Sequence, residues 1–331
     1  MRKTASVITL SFLLIGMLIS AFDNGLVKAW SGGTIEINPD GSVSPSTAPI
    51  QRNGNLYTLT DNIFSSQDGI IIRKDNIVLD GAGYTLQGTG GWIGIEFSGG
   101  RSNVTIRNMK IRVFYYGIDS YDSSYLSISG NNIENNYIGI NFYSCSNCRI
   151  SGNNVTANNY DGISIGESSY VDIVGNTIAN NYEGIGIRLY YSKHSFISGN
   201  NITNNWVDIG FFNSIDNSIV GNSITGSWGN SVWLYGDCSD NTICGNNIAN
   251  NWCGISMYIS SNNLVYHNNF VNNEQQVFTF DSVNIWDDGY PSGGNYWSDY
   301  IGSDANNDGI GDTPYIIDAD NVDRYPHMSA R

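Results

Sequence analysis

The sequence Gly-Asn-x-Ile, or a close variant, returns at Gly130, Gly152, Gly175, Gly199, Gly221 and Gly245, and His267-Asn268-Asn269-Phe270 continues the series. The steps are 22, 23, 24, 22, 24 and 22 residues. A period this short, held this long, admits few architectures, because each repeat is one unit that buries its apolar face only by stacking on its neighbours. A second landmark, Gly followed by Ile, falls at Gly94, Gly117, Gly139, Gly162, Gly184 and Gly254, with Asp208-Ile209 and Ser231-Val232 in the two missing places. Polar turns lead into a third at Ile106, Ile128, Ile150, Ile173, Ile197, Ile219, Ile243 and Val265. Each repeat therefore offers three short apolar strands separated by three turns.

Segments such as Ile140-Asn141-Phe142 and Ile163-Ser164-Ile165 alternate, so one face points in and the other out, and helical spacing is absent. Helical-pair repeats and propeller blades need longer periods, and the Leu-x-x-Leu-x-Leu signature of leucine-rich repeats does not occur. The expected fold is all-β: a single-stranded right-handed parallel β-helix of about nine coils, capped at both ends and roughly 43 Å long at ~4.8 Å per coil. The doublets Asn135-Asn136, Asn158-Asn159, Asn180-Asn181, Asn204-Asn205, Asn250-Asn251 and Asn272-Asn273 mark one turn, where stacked amides bond along the axis and the backbone tolerates left-handed geometry.

The chain begins with Met1-Arg2-Lys3 and an apolar run from Val7 to Phe22, the pattern of an export signal. Val27-Lys28-Ala29 fits a cleavage site, and the alternative is an uncleaved N-terminal anchor, the one membrane attachment expected. The expected organisation is a signal over 1–29, an N-terminal cap over 30–68, coils over 69–280 and a C-terminal cap over 281–331. The product is expected to be secreted, extracellular or at the cell surface. A formal charge of −15 with 15 basic residues argues against nucleic acid, which needs a basic stripe to displace counterions, and disfavours polyanionic substrates. The five cysteines, at 145, 148, 238, 244 and 253, sit in the middle of the repeats and form no disulfide scaffold.

These coils resemble the NosD-like group of parallel β-helix proteins within the pectin-lyase-like superfamily, which includes carbohydrate-binding and sugar-hydrolysing modules. The segments Thr34 to Val43, Ile77 to Leu86 and Gly294-Asn295-Tyr296-Trp297-Ser298-Asp299-Tyr300 look like those of exported archaeal members. The resemblance implies the fold across nearly the whole mature chain. Its functional content is small, and the group's name implies a periplasmic copper-maturation accessory.

Four sets of residues carry candidate chemistry. Trp92, Tyr115, Tyr137, Tyr160, Tyr182, Trp206 and Trp252 stand two residues before the Gly-Ile landmark and predict an aromatic column, with rings ~4.8 Å apart, on which sugar rings can stack; the bland alternative is a structural ladder. Tyr121, Tyr143, Phe212, Tyr235 and Tyr258 predict a second column. Glu96 with Asp119, and Asp161 with Glu183, read as carboxylate pairs on neighbouring coils, near the ~5–5.5 Å separation of a retaining glycosidase; acids at outward positions are first of all a solvated face, and a bridging cation is as plausible as catalysis. The signatures of polygalacturonases are missing, and no Lys or Arg column supplies a lyase base.

In Asp304-Ala305-Asn306-Asn307-Asp308-Gly309-Ile310-Gly311-Asp312, Asp304, Asn306, Asp308 and Asp312 place side-chain oxygens at calcium-loop positions 1, 3, 5 and 9, with Gly309 at 6 and the Ile310 carbonyl at 7. Tyr315 replaces the usual bidentate acid and Pro314 rules out an exiting helix, so a helix-free calcium loop closing the C-terminal cap is expected. Asp299, Asp318, Asp320 and Asp323 add to the local negative field. Copper finds thin support: Cys145 and Cys148, or Cys238, Cys244 and Cys253, are the soft donors, and His194, His267 and His327 are far apart in sequence. The expected function is a non-catalytic module, acting as a monomer, that binds polysaccharide or cell-surface glycan along an aromatic face. The alternatives are a lyase or glycosidase using outward carboxylates and a copper-binding accessory.

Overall fold

Strands account for every regular element of this computed structural model, which describes residues 29–331. The charged start and apolar run assigned to the signal therefore lie outside the described residues. The strands stack into three long parallel sheets of 12, 12 and 11 members. Each coil lays one strand in each sheet in turn, as in Asn132–Glu134, Ile138–Tyr143 and Ser146–Ser151. The winding is that of a right-handed solenoid of about eleven turns, roughly 53 Å at ~4.8 Å each, where the sequence predicted nine. The difference lies at the ends. Trp30–Gly32 and Ile35–Ile37 already pair in parallel with Ile63–Ser65 and Ile70–Ile72, and Tyr296–Trp297 pairs with Asn269–Phe270, although none of these end segments keeps the Gly-Asn-x-Ile spelling.

Inward positions form unbroken apolar columns. Ile106, Ile128, Ile150, Ile173, Ile197, Ile219, Ile243 and Val265 are paired coil to coil and fully buried. Each such side chain contributes ~1.5–3 kcal/mol by leaving water. The open N-terminal edges are closed by antiparallel pairings, Val43–Ser44 on Ile35–Ile37 and Ile50–Asn53 on Leu56–Leu59, which blunt two strand rows that would otherwise template association. Among the described residues no helix is long and apolar enough to cross a membrane.

Asparagine ladders run along the rod. In the predicted ladder the second Asn of a doublet faces inward: the Asn136 amide donates to Asn158 Oδ1, Asn158 to Asn181 and Asn181 to Asn205, while Asn135, Asn180 and Asn204 take φ of 56°, 60° and 56°. The doublet Asn158-Asn159 is offset by one, because Asn158 itself carries the ladder and Ala157 takes the left-handed position. Two further ladders escaped the sequence reading. One follows the Asn after each landmark glycine, Asn131 through Asn153, Asn176, Asn200, Asn222, Asn246 and Asn268 to Asn295. The other joins Asn217, Asn241, Asn263 and Asn284.

The Gly-Ile glycines are required for close approach. A Cβ on Gly139 would lie 2.5 Å from the Gly162 carbonyl oxygen and 3.0 Å from the Asn158 amide nitrogen. Gly139→Ala is expected to destabilise by ~1–3 kcal/mol, through displaced backbone rather than lost contact, measured as a drop in urea midpoint at constant slope.

Candidate functional site

Because side chains on a strand alternate, every second residue of the sheet that holds Ile138–Tyr143, the middle one in chain order, points away from the core, and parallel pairing turns these into rows along the rod. One row runs Glu96, Asp119, Asn141, Ser164, Arg188, Gly210, Trp233, Ser256 and Phe278. Two residues further along each strand stand Tyr121, Tyr143, Gly166, Tyr190, Phe212, Tyr235, Tyr258 and Phe280. Tyr190 and Phe280 extend the second predicted column. The gap at Gly166 is filled by the Tyr190 ring, which lies where a Cβ would stand. On the opposite rim, in the turns before the strands, Trp92, Tyr115, Tyr137, Trp206 and Trp252 are exposed. Tyr137 stacks on Tyr115 at 4.7 Å and on Tyr160 at 5.5 Å between ring centroids. The middle sheet is thus the floor of a trough between two aromatic rims.

Two predicted alignments are corrected by the register. Ile163 pairs with Ile187, so Gly162 aligns with Gly186 and not with Gly184. The extra length of this 24-residue coil is taken up in the preceding turn. Tyr182 consequently leaves the column and projects from the turn, with Gly184 in its place below Trp206. Asp161 and Glu183 do not form a pair: Glu183 is exposed in the turn, whereas Asp161 is buried and bound by Arg188, Nε to Oδ2 at 2.7 Å and Nη2 to Oδ1 at 3.1 Å. Arg188 also donates to the Tyr160 hydroxyl and lies over the Tyr160 and Phe212 rings, so it bridges the trough from rim to rim. Trp228, missed by the sequence reading, is exposed one residue before Gly229, which occupies the column position between Trp206 and Trp252.

Glu96 and Asp119 do occupy paired positions on neighbouring strands. Asp119 is 4% exposed and accepts a 2.8 Å hydrogen bond from the Asn141 amide. Burial, reinforced by the Glu96 charge, pushes its pKa up to about 6. Burial likewise raises Glu96, and pushes the Tyr116 hydroxyl up to about 12. Only a group that is hard to ionise yet close to neutrality can trade protons with a ligand at moderate pH.

Asp208 stands where other coils carry glycine. It is fully buried, its Oδ1 accepts from the Asn205 amide at 2.9 Å, and its Oδ2 has no partner, so burial drives its pKa well above the ordinary carboxylate range. The folded chain then holds a proton that the unfolded chain releases, and stability declines as pH rises from the unfolded carboxylate value near 3.9 towards the folded one. Asp208→Asn is expected to flatten this slope and to raise stability at pH 8 by ~1–3 kcal/mol, read from thermal melts between pH 4 and pH 8.

In the C-terminal loop, Asp304 accepts from the backbone N–H groups of Asp308 and Gly309, Asp308 accepts from Ile310 N–H and the Asn306 amide, and Asp312 accepts from Ala305 N–H. Asp304, Asn306, Asp308 and Asp312 are thus gathered about one turn, and Ile310 is its buried residue. Among the described residues no three His, Cys, Asp or Glu side chains converge as a metal-sized group. All five cysteines are free thiols, and burial raises Cys145, Cys238 and Cys253 and pushes Cys148 up to about 12. The histidines are closer than their sequence separation suggests: the His267 and His327 rings lie 5.6 Å apart, and His267 Nε2 is 2.9 Å from the Ser292 carbonyl oxygen. A thiol held protonated is a poor ligand, and two imidazoles without a third donor do not make a closed copper set.

Residues 37–189 match the family described as periplasmic copper-binding protein (NosD), and residues 138–291 match the right handed beta helix region. A probable ABC transporter binding protein NosD from Stutzerimonas stutzeri is 32% identical over 151 residues, which cover 43% of this chain and 31% of that protein. The match therefore spans about a third of the curated relative. Among solved structures, the A-module of a mannuronan C-5 epimerase from Azotobacter vinelandii is similar with a TM-score of 0.51 and 13% identity, covering 81% of this chain and 85% of that one. A periplasmic alginate epimerase scores 0.51 at 12% identity, covering 77% and 84%, and the enzymatically active domain of a bacteriophage CBA120 tailspike scores 0.54 at 14%, covering 76% and 47%. At these identities the likeness is one of fold alone. By its coils and its matches, this chain is a right-handed parallel β-helix repeat protein that is similar to NosD over residues 37–189.

Proposed function

We propose that this chain is an exported module that holds a polysaccharide or cell-surface glycan along the trough of its middle sheet, without turning it over. The observation that carries the reading is the pair of aromatic rims, Tyr115 to Trp252 on one side and Tyr121 to Phe280 on the other. They leave solvent-facing rings beside a row that includes the short polar side chains of Asp119, Asn141, Ser164 and Ser256. A rod that needed aromatics only to fill space would turn them inward, where burial stabilises more. Export fits the periplasmic description of the matched family. The test is retention on a panel of immobilised polysaccharides, with product release assayed alongside. Retention without products supports the reading, and no retention on any polymer removes it.

A catalytic second reading rests on one observation, the Asp119 carboxyl with its pKa near 6 beside Glu96. If it acts as a general acid, polymer cleavage follows a pH profile with an inflection near 6, and Asp119→Asn abolishes it. Uncleaved polymer across the panel would end this reading. The copper-binding accessory reading rests on the description of the matched family, and among the described residues no group of three His, Cys, Asp or Glu side chains accompanies it.

The same proposal places calcium in the Asp304 to Asp312 loop, where it would lock the C-terminal cap by binding the folded chain alone. Calcium at saturating concentration is then expected to raise the melting temperature by about 2–4 °C per kcal/mol of linkage relative to chelator, and Asp304→Ala to remove the rise. Identical melts with calcium and chelator would refute the site.

A further inference from the structure

The geometry points to neutral glycans as the occupants, seated at the tryptophan end of the trough; this rests on the glycan reading above and gives it a substrate class. Trp206, Trp228 and Trp252 crown three successive turns of one rim and are 49%, 71% and 53% exposed. Trp228 reaches this rim because the chain places Gly229 at the column position, freeing the preceding residue to project outward. Between Trp228 and Trp252 lies a cavity of about 380 Å³, lined also by Ser227, Asn250, Asn272 and Glu274. Indole faces take the C–H faces of a pyranose, and the amides, the hydroxyl and the carboxylate take its hydroxyl groups.

Charge decides which sugar can enter. After Lys193 the chain carries fifteen acidic residues, one of them the protonated Asp208, and two cations, Arg324 and Arg331. Arg324 is bound to Asp287 at 2.7 Å, and the Arg331 guanidinium reaches the Ser292 carbonyl oxygen at the far cap. Within the trough the guanidinium of Arg188 is already claimed by Asp161. A uronate or sulfate chain laid on this rim would meet negative potential and no free counter-charge, whereas a neutral chain pays no such penalty. The occupant therefore differs in charge class from the mannuronan and the alginate named for two of the structural neighbours.

The experiment is affinity electrophoresis and tryptophan-fluorescence titration of the mature protein with a soluble neutral β-glucan, a neutral mannan and alginate at 150 mM salt. Variants are Trp228→Ala, Trp252→Ala and, on the opposite rim, Tyr121→Ala; all three residues are exposed, and melts confirm that each variant folds. The expected result is binding to at least one neutral polymer and none to alginate, weakened at least tenfold, ~1.4 kcal/mol, by Trp228→Ala or Trp252→Ala. Preferential binding of alginate, or neutral-polymer binding unchanged in both tryptophan variants, overturns this inference while leaving the glycan reading intact. Failure to bind any of the polymers overturns both.

Discussion

Asn176→Ala is expected to be among the most damaging single substitutions in the rod, lowering stability by roughly 3–6 kcal/mol. Asn176 is 1% exposed and sits mid-ladder. Its Oδ1 accepts from both the backbone N–H and the amide of Asn153, and its Nδ2 donates to the Ile150 carbonyl and to Asn200 Oδ1. Truncation takes the Asn176 acceptor from the buried Asn153 N–H and removes one hydrogen bond each from the Ile150 carbonyl and from the Asn153 and Asn200 amides, which keep their other partners. The control is Asn201→Ala, a neighbouring but exposed Asn, which should shift stability by less than ~0.5 kcal/mol. Urea unfolding of the two variants side by side gives the answer, and equal effects would mean that the ladders are ornament rather than support.

Arg188→Ala is expected to lower stability by about 3–5 kcal/mol, because it strands the Asp161 carboxylate in a site that is 1% exposed. Burial already raises Asp161, with Arg188 and the Ile185 N–H opposing that shift, and removing Arg188 leaves only the Ile185 N–H against it. The folded chain then retains a proton that the unfolded chain gives up, so the deficit grows as pH rises above the unfolded carboxylate value. Melts at pH 4.5 and pH 8 separate this from simple lost packing: the variant should lie closer to the parent at the lower pH. Asp161→Asn in the Arg188→Ala background should recover much of the loss. A pH-independent deficit would assign Arg188 to packing against Tyr160 and Phe212 instead.

What could be read in the sequence follows from what a solenoid repeats. A column residue has the same neighbours in every coil, so Ile128 and Ile150 announce the core, and Asn136 and Asn158 a ladder, by recurrence alone. Recurrence fails where the coil length changes. The longer coil before Ile187 moved Tyr182 and Glu183 out of their expected rows and exposed Asp161 as the partner of Arg188, because turn residues absorb an insertion while strand register is held by backbone hydrogen bonds. It fails again where a residue departs from its column: Asp208 replaces a glycine, and only the fold shows that its carboxyl points at Asn205 rather than at water.

The sequence by itself determined the parallel β-helix, its inside and outside, and the presence of aromatic rows, since these depend on period and alternation. The tertiary structure alone decided that the rows stand on opposite rims of one sheet, that Asp119 is buried beside Asn141, that Arg188 spans the trough, and that Trp228 joins Trp206 and Trp252. These are relations between coils, set by register and turn length, and a period of 22 to 24 residues leaves the extra two residues unassigned until the backbone places them.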